Sequence, residues 1–199
     1  MFRYELNMTD DVHVVGLAGS LADDSTTRIA VERALDAARA AGATTDLVDL
    51  RTLDLPTFDS DTPDAGDAPD LRRRLRAADA ILLGTPMYHG SYASPLKTAL
   101  DYSGFEEFED ATVGLLAVAG GRFPLPALEH LRESMRALEA WTLPTQVAIP
   151  NSHAVTGDDR LTDEELAERV DSLGRELVTY ANVAAVSECS TTPAPTAGD

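Results

Sequence analysis

Short apolar runs alternate with segments of helical periodicity along most of the chain, and this alternation limits the fold more than any other feature. The runs predict five strands, at 12–18, 44–50, 79–85, 111–119 and 142–149. The periodic segments predict helices at 26–41, after a cap at Ser25, and at 71–78, 95–102, 126–140 and 161–185. Strands that alternate with helices form a parallel sheet with right-handed crossovers. The sequence therefore predicts a doubly wound α/β fold with helices on both faces of the sheet.

Such a sheet binds its ligand outside the carboxyl ends of the strands, at the point where the strand order reverses. The loops that follow strands one, three and four are therefore expected to meet at one crevice, and they lie at 19–25, 86–92 and 120–124. A length of 199 residues fits a single domain, which we place at 1–186. The remaining residues, 187–199, are rich in Ser, Thr, Pro and Ala and are predicted to be a disordered tail.

The charge balance restricts the partners. The chain has 34 acidic and 16 basic residues, a net charge of −18, and Lys97 as its single lysine. A surface of this sign repels nucleic acid and anionic membranes, so neither is an expected partner. Simple solubility would account for the charge, but the replacement of lysine by arginine favours adaptation to a salt-rich cytoplasm, as in a halophile.

The termini and the metal-binding residue types add further expectations. The first residues, "MFRYELNMTDD", lack the basic and apolar regions of a signal peptide, and no apolar run reaches the length of a membrane span, so a cytoplasmic location is predicted. The lone Cys189 cannot form a disulfide within the chain. The four histidines do not have the spacing of metal ligands, so no metal site is expected.

The first loop has the composition of an anion site. Gly19, Ser20, Ser25 and Thr27 precede a helix start, where free backbone N–H groups and the positive end of the helix attract phosphate. An ordinary helix cap without a ligand explains the same residues equally well. The loop matches neither the dinucleotide-binding glycine pattern nor a Walker motif, and the chain has no Gly-x-Ser-x-Gly elbow of a hydrolase.

The second loop, within "GTPMYHGSYASPLKTALDY", has the composition of a flavin cradle. Gly84, Pro86 and Gly90 are predicted to shape a tight turn with free amides, while Tyr88, His89 and Tyr92 supply flat surfaces beside it. A structural turn whose aromatic residues merely pack is the alternative. The third loop, Gly120-Gly121-Arg122, would again let backbone approach a ring, but glycines are common in any strand-to-helix turn.

Three segments in order, "GLAGSLADDSTTR", "GTPMYHGSYASPLKTALDY" and "VGLLAVAGGRFPLPALEHLRESMRALEAW", resemble the NADPH-dependent FMN reductase family across about 12–150. The resemblance implies a flavodoxin-like three-layer sandwich with a five-stranded parallel sheet in the order 2-1-3-4-5. It also implies bound FMN, NADPH or NADH as co-substrate, and hydride transfer to a small acceptor such as a free flavin, a quinone, an azo or a nitro compound. Members of this family usually assemble as homodimers or homotetramers.

The resemblance also assigns residues. It places the phosphate of FMN at the first loop, in contact with Gly19, Ser20, Ser25, Thr27 and Arg28. It places the isoalloxazine ring at the second and third loops, in contact with Pro86, Met87, Tyr88, His89, Gly90, Ser91, Gly120, Gly121 and Arg122. Because the flavin carries the chemistry, no catalytic side chain is implied, although Tyr88 or His89 could position the acceptor. Lys97 and Asp101 match a stretch for which a structural or subunit-interface role is expected.

The chain departs from the family at the first loop. Many members have Arg where this chain has Ala22, and the missing charge predicts looser FMN binding, with Asp23 and Asp24 turned outward. An FMN-binding electron carrier or regulator without NAD(P)H turnover is the competing interpretation. An enzyme on a nicotinamide-binding Rossmann fold is disfavoured by the missing glycine pattern. The choice between NADPH and NADH stays open, with Arg122 or the basic run 72–74 as candidates for the 2′-phosphate.

Overall fold

The computed structural model describes residues 12–157 and 159–183. Its strands are, in chain order, β1 (His13–Ala18), β2 (Thr44–Asp49), β3 (Ala80–Tyr88), β4 (Ser91–Tyr92), β5 (Thr112–Val118), β6 (Trp141–Ile149), β7 (Thr156–Gly157) and β8 (Arg160–Leu161). Five of them form a parallel sheet in the order β2-β1-β3-β5-β6, which confirms the predicted strand order. The sequence did not predict β4, which pairs antiparallel with β3, or the separate β7–β8 hairpin.

The helices are α1 (Thr26–Ala40), α2 (Ala68–Arg76), α3 (Ser94–Asp101), α4 (Phe105–Phe108), α5 (Leu125–Ala137), α6 (Ser152–Val155) and α7 (Glu164–Thr179), with a 3₁₀ turn at Leu50–Thr52. The five predicted helices are present with shifted ends. α7 begins three residues later than predicted because the Asp163 side chain caps it, accepting a 3.0 Å hydrogen bond from the Leu166 amide. The predicted tail, 187–199, and Cys189 lie outside the described residues.

Helices cover both faces of the sheet, as predicted. Alternate strand residues point to opposite faces. One core therefore contains Val14 and Leu82 with side chains of α1 and α7. The other contains Leu17 and Leu83 with side chains of α2, α3 and α5. β5 is buried along its whole length, as expected for a central strand of a parallel sheet.

Two of the three arginines in the basic run on α2, Arg72 and Arg74, are partly buried. Arg72 pairs with Asp64, and Arg73 pairs with Asp70. Arg74 binds Asp46 through two hydrogen bonds of 2.7 and 2.6 Å, and its side chain is only 19% exposed. This hydrogen bonding lowers the pKa of Asp46 below its ordinary value of 3.8. All three arginines are thus already paired.

Two further features of the described residues concern membranes and metals. Among the helices of 12–157 and 159–183, none combines the length and apolarity that crossing a membrane requires. The same residues contain no cluster of three or more histidine, cysteine or carboxylate side chains suited to a metal ion.

Candidate functional site

The three predicted loops meet because the strands that precede them are neighbours in the sheet. β1 is paired with β3 through Ala18 and Gly84, and β3 with β5 through Pro86 and Val118. The strands are parallel, so their carboxyl ends lie at one edge. A hydrogen bond of 2.8 Å from the Gly19 amide to the Gly84 carbonyl joins the first loop directly to β3.

The first loop turns its hydroxyls inward and caps α1. Ser25 is the N-cap, and its hydroxyl accepts a 3.1 Å hydrogen bond from the Arg28 amide, which confirms the predicted cap. Ser20 accepts a weaker bond of 3.3 Å from the Ala22 amide. Ser20, Ser25 and Thr27 are each at most 5% exposed. The loop is therefore held in shape before any ligand binds, at the positive end of a 15-residue helix.

The charged residues of this loop are arranged around Asp23. The Asp23 side chain is 98% exposed, in agreement with the outward direction expected from the sequence. Its backbone carbonyl accepts a 3.2 Å hydrogen bond from the Arg28 guanidinium. Arg28 also lies 3.6 Å from Glu32, while its buried Nε atom has no hydrogen-bond partner among the described residues. Arg28 thus runs along the loop rather than into solvent.

The second loop is shorter than predicted, because the first part of 86–92 continues β3. Its turn is made by His89 and Gly90, which have φ angles of 51° and 78°. Two consecutive positive φ angles between paired residues are the type I′ turn of a tight β-hairpin, and Gly at the second position suits it. Gly84 does not shape this turn: it lies inside β3, where a Cβ would come within 2.3 Å of Val31 Cγ2.

Helix α5 anchors this hairpin through contacts that the sequence did not indicate. Ser91 Oγ lies 3.1 Å from His130 Nδ1, and the Tyr92 hydroxyl lies 3.1 Å from Ser134 Oγ. No periodicity or motif could have linked these residues, which are about forty positions apart. Tyr92 packs against the core and is not the free flat surface that we predicted. Tyr88 is 60% exposed and remains available.

The third loop presents open backbone at the same edge. Gly120, Gly121 and Arg122 are exposed, and Phe123 beside them is 73% exposed. A Cβ built on Gly121 would meet no heavy atom within 4 Å, and the same holds for Gly90. The loop is held by the backbone amide of Asn151, which donates a 2.9 Å hydrogen bond to the Gly121 carbonyl. Backbone with this much space can lie against the edge of a flat ring.

A shallow groove of about 270 Å³ adjoins the first loop on its β2 side. Leu21, Arg51 and Pro95 are among its lining residues. Arg51 reaches across it to Asp23, with 2.9 Å between Nη1 and Oδ1. No sequence pattern connects Arg51 with the first loop, because the contact depends on β2 lying beside β1.

The range matched by a known protein family includes all three of these loops. The family model described as NADPH-dependent FMN reductase matches residues 12–154. The FMN-dependent NADPH-azoreductase of Staphylococcus aureus is 37% identical over 116 residues, which are 57% of this chain and 62% of that protein. The chain therefore spans less than two thirds of the length of this relative.

Solved structures show the same fold. The flavoenzyme NAD(P)H:(acceptor) oxidoreductase FerB from Paracoccus denitrificans superposes with a TM-score of 0.70 at 21% identity, over 85% of this chain and 98% of that one. The NAD(P)H:quinone oxidoreductase from Methanothermobacter marburgensis gives a TM-score of 0.63 at 19% identity, over 84% and 100%. At this identity the likeness concerns the fold, and it confirms the flavodoxin-like architecture predicted above.

Proposed function

The chain belongs to the NADPH-dependent FMN reductase family, and we propose that it is an FMN-dependent oxidoreductase that uses NADPH or NADH to reduce a small acceptor. Suitable acceptors are a free flavin, a quinone, an azo compound or a nitro compound. The observation that carries the proposal is the meeting of all three predicted loops at the carboxyl ends of β1, β3 and β5. One loop alone would also fit a helix cap, but three loops of this composition at one edge match the requirements of a flavin nucleotide.

We assign the phosphate of FMN to the first loop, at Gly19, Ser20, Ser25, Thr27 and Arg28. Three features of this loop support the assignment. Its hydroxyls are buried at the start of α1, its shape is fixed by internal hydrogen bonds, and Arg28 carries a buried Nε without a partner among the described residues. An anion at this point would gain helix-end amides and a guanidinium together.

We assign the ring to the second and third loops, at Pro86, Met87, Tyr88, His89, Gly90, Ser91, Gly120, Gly121 and Arg122. Gly90 and Gly121 have the open backbone that a ring edge needs, and Tyr88 offers an exposed flat surface. Bound FMN would supply the hydride and electron transfer. The residues of the chain hold and orient it, and loop amides directed at the ring would stabilise negative charge that develops there. Tyr88 or His89 would position the acceptor.

We also propose that the protein is a homodimer or homotetramer whose contacts lie near this edge. Large apolar side chains are exposed on the three loops or directly beside them, at Leu21, Tyr88, Phe123 and Leu125. Burial of such side chains in a subunit contact would remove them from water. Light scattering after gel filtration at high salt tests this: a molecular mass two or four times 21.2 kDa is expected, and a monomer at micromolar concentration would contradict it.

The net charge of −18 supports a further proposal, that the protein functions in a salt-rich cytoplasm. From the length of the chain, we also propose a single domain within 1–186. At low ionic strength the acidic surface repels itself, and salt screens this repulsion. FMN and NADPH are also anionic, so their association with this surface would be faster in salt than in dilute buffer.

Turnover is the test of the proposed function. The FMN-loaded protein in molar KCl is mixed without oxygen with NADPH, or with NADH, and the visible flavin band is followed before and after a quinone is added. Bleaching that recovers with quinone over many cycles is expected. A protein that stays yellow with both nucleotides would contradict the reductase and favour the electron carrier.

A further inference from the structure

We propose that Arg51 keeps the first loop competent for the FMN phosphate by restraining the carboxylate of Asp23. This inference rests on the proposed function, because it assigns a positioning role at the same loop. It also answers a difficulty that the sequence raises: between Gly19 and Ser25 the loop carries two acids, Asp23 and Asp24, and no basic residue. An anion site with two acids in its loop needs some device that limits repulsion.

The strand order explains why Arg51 reaches this loop. β2 lies beside β1, and Asp49 at the end of β2 is the register partner of Ala18 at the end of β1. The chain then turns through Leu50–Thr52, which places Arg51 next to the loop that follows β1. Residues about thirty positions apart in sequence, Asp23 and Arg51, are thereby neighbours.

Arg51 is oriented by one carboxylate and restrains the other. Asp49 accepts a 3.1 Å hydrogen bond from the Arg51 amide, and Asp49 Oδ2 lies 3.4 Å from Arg51 Nη2. The Asp49 side chain is only 13% exposed, so it holds the Arg51 guanidinium in a fixed orientation. The other terminal nitrogen, Nη1, lies 2.9 Å from Asp23 Oδ1. The contacts form a line from Asp49 through Arg51 to Asp23.

The Asp23 backbone is held independently. Arg28 donates its 3.2 Å hydrogen bond to the Asp23 carbonyl, so two arginines hold this residue, one at the backbone and one at the side chain. Asp23 is 98% exposed, and an exposed ion pair contributes little to folding stability. Its effect is on where the negative charge lies: the Asp23 carboxylate is paired with Arg51, on the β2 side of the loop. Without Arg51 the carboxylate would be free to turn toward the phosphate.

Binding measurements on four proteins separate this role from others. FMN and riboflavin, which lacks the phosphate, are titrated into the wild type, Arg51→Gln, Asp23→Asn and the double variant, with flavin fluorescence as the readout. We expect Arg51→Gln to weaken FMN binding about tenfold and riboflavin binding by less than about twofold. Asp23→Asn alone is expected to bind FMN at least as tightly as the wild type.

The double variant is the decisive protein. If the damage in Arg51→Gln comes from the released Asp23 charge, Arg51→Gln combined with Asp23→Asn recovers FMN affinity to within about threefold of the wild type. The defect of Arg51→Gln should also shrink as KCl rises, because salt screens the released charge. Arg39→Gln is the matched control, since Arg39 also pairs with an exposed aspartate, Asp36, but at the far end of α1. It is expected to bind FMN as the wild type does.

Four outcomes would overturn the inference. Unchanged FMN binding in Arg51→Gln would show that Arg51 has no role at the loop, while the proposed function would stand. A double variant as weak as Arg51→Gln would show that the arginine acts through something other than Asp23. Equal losses for FMN and riboflavin, with a lowered melting temperature, would show a general structural role. A wild type that binds neither flavin would contradict the proposed function together with this inference.

Discussion

The amide of Gly19 donates a 2.8 Å hydrogen bond to the carbonyl oxygen of Gly84, so the first loop is joined directly to the strand that leads into the second. The approach is close: a Cβ on Gly19 would lie 3.0 Å from that same oxygen and from Leu96 Cβ. The two loops therefore hold a fixed spacing. A ligand that spans them, with an anion at one and a ring at the other, meets a surface that needs little rearrangement.

Gly84→Ala should destabilise the fold. The new methyl group would lie 2.3 Å from Val31 Cγ2, and Val31 is fully buried, so the α1 side of the core must shift. We expect a loss of about 1–3 kcal/mol in the free energy of unfolding, measured by urea denaturation at fixed salt. Gly121→Ala is the control, because its methyl group meets no heavy atom within 4 Å. Equal stability of the two variants would contradict the packing described for Gly84.

Two substitutions of Ser25 separate the helix cap from the anion site. Ser25→Ala removes the hydrogen bond to the Arg28 amide and should cost about 1 kcal/mol of stability. Ser25→Asp keeps a capping oxygen but adds a negative charge where we place the phosphate. It should keep most of the stability and weaken FMN binding at least about tenfold. Melting temperature and flavin titration are measured on both. Full FMN affinity in Ser25→Asp would mean that the loop is a cap alone.

The Asp46–Arg74 pair should make part of the stability depend on pH. Hydrogen bonding from Arg74 lowers the pKa of Asp46 in the folded state, so the contribution is present above the ordinary pKa and is lost as pH falls through the lowered one. Asp46→Asn should cost about 1 kcal/mol at neutral pH, with allowance for its partial exposure, and the difference from the wild type should narrow below about pH 4. Denaturation at several pH values measures it.

Asp36→Asn is the comparison for that experiment. Asp36 also pairs with an arginine, Arg39, but its side chain is 71% exposed. The free energy of unfolding should change little at any pH, because solvent screens such a pair. If Asp46→Asn behaves like Asp36→Asn across the whole range, the Arg74 hydrogen bonds do not stabilise the folded state.

Salt should stabilise the protein if the acidic surface is an adaptation to a salt-rich cytoplasm. The net charge of −18 is unfavourable for the compact state, and the Debye length falls to about 3 Å near 1 M salt. The melting temperature should therefore rise steadily between dilute buffer and about 2 M KCl. A neutral osmolyte at matched osmolality is the control. A melting temperature that does not respond to KCl would leave the charge as an aid to solubility only.

Much of the fold could be predicted because strands and helices are local patterns. The five parallel strands, the cap at Ser25 and the edge at which the loops meet all follow from apolar runs and from the rules of parallel sheets. The sequence does not predict the β3–β4 hairpin, because the composition of 86–92 is that of a loop. In the structure Pro86 and Met87 continue β3, and the turn needs only His89 and Gly90.

The contacts that were missed all join residues distant in sequence. Asp23 meets Arg51, Ser91 meets His130, and Tyr92 meets Ser134 because β2 lies beside β1 and α5 packs against the hairpin. The start of α7 was misplaced for a related reason. Leu161 has the periodicity of the helix but is used by the β7–β8 hairpin, and Asp163 then caps α7. Single-sequence patterns describe what a segment can form, and tertiary neighbours decide the rest.

The central claim, that the three loops form an FMN site, is tested most directly by equilibrium binding. The purified protein is titrated with FMN in molar KCl, and the number of flavins bound per chain is obtained from the quenching of flavin fluorescence. One FMN per chain, with quenched flavin fluorescence and weaker binding of riboflavin, is the predicted result. A protein that retains no flavin at any salt concentration would contradict the account and reduce the first loop to a helix cap.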